Sequence, residues 1–137
     1  MNSWKNEIHN HRAILMNQDA NAPQEEVEVT TLDHYLREAG INHIDLLKLD
    51  VEKWEIPVLK GAENSIRQGR IKFILSEVGF ETSNTRFTNF NDLSAYLKML
   101  NFSFVGLYEV RLYNNKAHFG NALFIYNPVD SAISETD

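Results

Sequence analysis

The chain has 137 residues, 43% hydrophobic and 23% charged, which suffices for one ordinary globular domain with its own core. There is no cysteine, which excludes a disulfide framework and thiolate chemistry, and the formal charge of -6 argues against a nucleic-acid partner, which asks for a basic face. No apolar run approaches the roughly 20 residues of a membrane span, and the first residues carry no hydrophobic signal region, so a cytoplasmic protein is the expectation.

Residues 1–26 are polar apart from Trp4, Ile8, Ile14 and Leu15, and read as a polar segment with at most a short amphipathic helix. Val27–Val29 alternates like a short strand. Thr30 or Thr31 then caps a helix with Leu32, Tyr35, Leu36 and Ala39 on its apolar face, and Gly40 ends it. Ile44–Leu49 is apolar on both sides except at Lys48, the pattern of a buried parallel strand. Pro57 is tolerated only in a first turn, so the next helix begins near Trp54 or Glu55. Its stripe is Val58, Leu59, Ala62 and Ile66, and Gly69 stops it.

Ile71–Glu77 reads as a second buried strand that ends on acid. Residues 82–91 form a polar loop, and Asn91 or Asp92 caps a helix that runs to Leu100. Phe102–Val110 and Ala122–Tyr126 are strands joined through a turn region at Tyr113–Lys116, and residues 129–137 are a polar, flexible tail. Residues 27–128 thus form one α/β domain: two parallel strands with crossover helices, then an antiparallel pair.

Both parallel strands end on carboxylates, and open α/β sheets bind ligands at the carboxyl ends of their strands. If the two strands are neighbours, Asp50 and Glu77 lie side by side, with Glu52 and Glu55 following in the loop and first helical turn. Such a group can accept a hydroxyl proton, hold a hard cation, or hydrogen-bond a substrate. In the structural alternative, Asp50 and Glu55 only cap and electrostatically favour the helix N-terminus. Lys48 either reaches a neighbouring acid or snorkels along the sheet. Trp54 either stacks on a ligand or packs the first turn. Phe80, Phe87 and Phe90 lie in or beside the loop, where they join the core or line an acceptor pocket. His34, His43 and His118 are isolated and read as surface or hydrogen-bonded histidines. His9 and His11 lack the remaining ligands of a metal site.

The run Ile44–Ala62 resembles the motif (I/L)-D-(L/F)-L-K-(I/L)-D-V-E-G-x-E-x-x-V-L-K-G-A of the FkbM family of S-adenosylmethionine-dependent methyltransferases. Only the motif glycine differs, and Lys53 stands in its place. Thr31-Leu32-Asp33, Ile74–Glu77 and the final strand at Ala122–Pro128 are similar to further elements of that family. The resemblance implies the C-terminal part of a Rossmann-like class I methyltransferase fold. It implies transfer of a methyl group from S-adenosylmethionine to a hydroxyl of a sugar or natural product. Asp50 would be the first candidate for the general base and Glu77 the second, with Lys48, Glu52, Trp54 and Glu55 toward the substrate.

The six glycines form no Gly-x-Gly loop, so the cofactor-binding half of such an enzyme is not recognisable. The expectation is a C-terminal portion incomplete for activity. The alternative is a non-catalytic α/β association module. In either case the apolar edge of the Ile44 strand invites self-association.

Overall fold

The computed structural model describes residues 27–83 and 86–128. The polar segment at 1–26 and the tail at 129–137 lie outside the described residues. The elements in chain order are α1 (Leu32–Glu38), β1 (Ile44–Leu49), α2 (Glu55–Lys60), α3 (Glu63–Arg67), β2 (Ile71–Gly79), α4 (Phe90–Met99), β3 (Phe102–Tyr113) and β4 (Lys116–Tyr126). They build a mixed four-stranded sheet in the order β1-β2-β4-β3. β1 and β2 are parallel, and β4 runs antiparallel to both β2 and β3.

One face of the sheet carries the core. Ile74, Ser76 and Val78 of β2 are fully buried, as are Ala122 and Phe124 opposite them on β4. The alternate residues Phe73, Leu75 and Glu77 are only partly buried, as the period of two requires. Leu59, Ala62 and Ile66 from the α2–α3 segment and Leu93 and Leu97 from α4 pack on the buried face. Among the described residues β1 and β3 are the two edges, and Leu46 of β1 is 52% exposed.

Several boundaries differ from the sequence expectation. Val27–Val29 joins no sheet. The helix expected from Trp54 to Gly69 is two short helices, broken at Gly61 and Ala62. The break is stabilised from α1: Asp33 accepts the N–H groups of Asn64 (3.1 Å) and Ser65 (2.9 Å) and the Ser65 hydroxyl (2.6 Å), so it caps α3 from outside. Thr31 caps α1 itself by accepting the His34 N–H at 3.1 Å. The neighbouring Thr31 and Asp33 therefore cap two different helices. α4 begins at Phe90, with Asn89 as its cap, because the Asn89 side chain accepts the Asn91 N–H. β3 and β4 are longer than expected. Asn114 and Asn115, at φ of 50° and 59°, make a tight two-residue turn that lets pairing continue to Tyr113 and Lys116.

A carboxylate edge and an aromatic cleft

The site begins where β1 ends. Trp54 donates its N–H to the Val51 carbonyl at 3.2 Å, closing a four-residue turn. Its two central residues, Glu52 and Lys53, have φ of 45° and 76°. Both are left-handed, as in a mirror-image type I turn, where glycine is favoured at the third position. Lys53 occupies that position. The glycine of the resembled motif thus has a backbone reason, and its replacement by lysine leaves strain in the turn.

Glu55 locks this turn from below. It is 1% exposed, one carboxylate oxygen accepts the Val51 N–H at 3.3 Å, and the other accepts the Thr88 hydroxyl. Both oxygens are committed within the protein. Glu55 thus ties the β1–α2 turn to the segment before α4.

Leu49 pairs with Ser76, which brings Asp50, just past β1, level with Glu77. β2 does not end on this acid as expected but continues to Gly79, because Glu77, Val78 and Gly79 pair with Asn121, Gly120 and Phe119 of β4. Asp50 is exposed and bonds Lys48 Nζ at 3.2 Å, so Lys48 reaches an acid. Glu52 bonds Arg86 at 3.4 Å across to the loop after β2. Trp54 is partly buried at the start of α2.

Glu77 differs from these acids. Its carboxylate has no hydrogen bond among the described residues, and it lines a cleft of about 390 Å³ together with Glu81, Ser83, Arg86, Phe87, His118 and Phe119. Burial, and next the Asp50 charge, push its carboxyl above the usual carboxylate range. Arg86 and Lys48 pull the other way, and Glu55 adds to the rise. Phe87 and Phe119 stack with centroids 4.7 Å apart and form an apolar wall. Of the three loop phenylalanines, only Phe87 lines the cleft, while Phe80 and Phe90 pack against the core. Among the described residues no group of three His or acid side chains could hold a metal ion, and no helix is long and apolar enough to cross a membrane.

Arg86, His118 and Phe119 were not visible as site residues in the sequence. His118 and Phe119 reach the cleft because β4 starts at Lys116 and lies against the end of β2, where Phe80 donates its N–H to the His118 carbonyl. The alternation through Ala117, His118 and Phe119 is the signal that extends the strand this far. Arg86 gave no signal, because only the fold of its loop brings it to Glu52.

No curated protein matches this chain. The family model described as the methyltransferase FkbM domain matches residues 3–104, a span that includes the β1 carboxylate edge, Glu77 and the aromatic loop. The chain belongs to the FkbM methyltransferase family.

Proposed function

We propose that this chain handles the acceptor in methyl transfer to a hydroxyl of a sugar or natural product, with Glu77 as the proton acceptor. The observation that carries the reading is the Glu77 carboxylate: it lines the cleft, no donor among the described residues bonds it, and its pKa is raised. A carboxylate with a raised pKa is a stronger base than an ordinary one. Asp50 is tied to Lys48 and open to solvent. Its role is to tune Glu77 through like-charge coupling rather than to take the proton itself. Glu52 pairs with Arg86, which lines the cleft, and Glu55 fixes the turn that presents Asp50.

The methyl donor implied by the family is S-adenosylmethionine. The glycines at 40, 61, 69, 79, 106 and 120 form no Gly-x-Gly turn, and β1 is the last strand on its side of the sheet among the described residues. These residues do not fit a cradle for the donor by themselves. What they supply is a wall for the acceptor (Phe87 and Phe119), a base for its hydroxyl, and a turn that aligns the two carboxylates.

The test is incubation of this chain, joined to a donor-binding segment of an FkbM methyltransferase, with tritiated S-adenosylmethionine and a set of sugars and natural-product alcohols. Label should pass to an acceptor oxygen. Glu77→Gln should slow transfer by on the order of 10²-fold with an unchanged melt, and Asp50→Asn should slow it less. Transfer that is indifferent to Glu77→Gln removes Glu77 as the base. Transfer to nitrogen or carbon alone contradicts the hydroxyl acceptor.

A further inference from the structure

His118 lines the same cleft from the start of β4. Its backbone is fixed by the Phe80 N–H, which donates to the His118 carbonyl at 3.1 Å. Its ring stands edge-on to Phe87 and Phe119, with centroids 6.0 and 5.7 Å away, and Tyr113 lies 5.8 Å off. Aromatic rings thus limit how this imidazole can turn. Its Nδ1 is buried and has no hydrogen-bond partner among the described residues.

That orphaned nitrogen decides the tautomer. A neutral imidazole has one N–H and one lone pair. A buried N–H with no acceptor is the rarer and more costly arrangement, so the lone pair belongs at Nδ1 and the proton at Nε2. The donor left on this cleft-lining ring is then Nε2–H, whereas Glu77 carries an acceptor. Glu77 and Phe80, the residue bonded to His118, are three positions apart on β2 and its continuation, roughly 10 Å along the chain.

We infer that His118 is a positioning residue for the acceptor: its Nε2–H donates to an acceptor oxygen remote from the hydroxyl whose proton Glu77 takes. This rests on the reading of the cleft as the acceptor site. It narrows the acceptor to compounds that carry at least two oxygens on well-separated atoms. A simple monoalcohol would leave His118 Nε2–H unused.

The probe is methyl α-D-glucopyranoside, a ring with hydroxyl and ether oxygens at several spacings, titrated into protein carrying isotope-labelled histidine and glutamate. His118 should show the Nε2–H tautomer in the free protein. The glucoside should shift both His118 Nε2 and the Glu77 carboxyl carbon. His118→Phe keeps an aromatic ring and should weaken binding by about five- to tenfold, the loss of one ordinary hydrogen bond. His118→Gln, whose amide N–H reaches the Nε2 position, should recover most of it. An Nδ1–H tautomer, or a His118→Phe variant that melts and binds like the wild type, overturns the inference while a Glu77 shift keeps the acceptor site. No shift at either residue overturns both.

Discussion

Asp50, the first residue after β1, stands level with Glu77 inside the neighbouring parallel strand β2, and after burial its charge is the next cause that raises the Glu77 pKa. The Glu77 pKa in the folded chain lies above its unfolded value. Stability from this group is therefore fully present below the unfolded pKa and is lost as pH rises through the folded one. Glu77→Gln should melt progressively higher than the wild type as pH moves from acid to neutral, because the variant has no carboxylate to ionise. Asp50→Asn should bring the Glu77 pKa back toward the ordinary range. Melts across pH and a carboxyl-carbon titration read both effects. A pH-independent difference in melting would mean that Glu77 ionises as freely folded as unfolded.

Lys53 sits at φ of 76° in the β1–α2 turn. A left-handed residue with a side chain costs about 1–2 kcal/mol, and glycine returns part of that gain as entropy of the unfolded chain, roughly 0.4–1 kcal/mol. Lys53→Gly should therefore stabilise the fold by about 0.5–1 kcal/mol. Urea unfolding measures it as a higher midpoint with an unchanged slope. A lower midpoint would show that the lysine side chain makes a compensating contact.

The Glu55 carboxylate is buried against the Thr88 hydroxyl. Thr88→Val keeps the shape and removes the donor, which leaves a buried carboxylate oxygen without its partner. The expected loss is about 1–3 kcal/mol. Glu55→Gln should cost less, because the amide can still accept from one side and carries no charge to bury. Chemical denaturation of both variants tests the ranking. Equal stability of Thr88→Val and wild type would place water at that oxygen.

The local elements were legible in the amino-acid order. Apolar runs at Ile44–Leu49 and Ile71–Ser76, each followed by an acid, specify two parallel strands that set their carboxylates at one level. Only β2 is buried, however: among the described residues β1 is an outer strand with Leu49 alone fully covered. Gly40 and Gly69 mark the left-handed stops, at φ of 65° and 68°. These features depend on near neighbours in the chain: alternation, β-branching and the steric freedom of glycine. The motif around Asp50 was legible for the same reason.

Tertiary structure decided the rest. Asp33 caps α3 across 32 positions to Ser65, and Thr88 meets Glu55 across 33, so no local pattern could announce either contact. The burial of Glu55 follows from that second contact, and with it the separation of a structural acid from a candidate base one strand away. The cleft needs β4 to insert between β2 and β3, which brings His118 and Phe119 beside the end of β2. Propensity fixes where a strand forms, but strand order is set by which apolar faces can be buried together. That choice is made over the whole core, and it placed Glu77 in an aromatic cleft while leaving Asp50 in solvent.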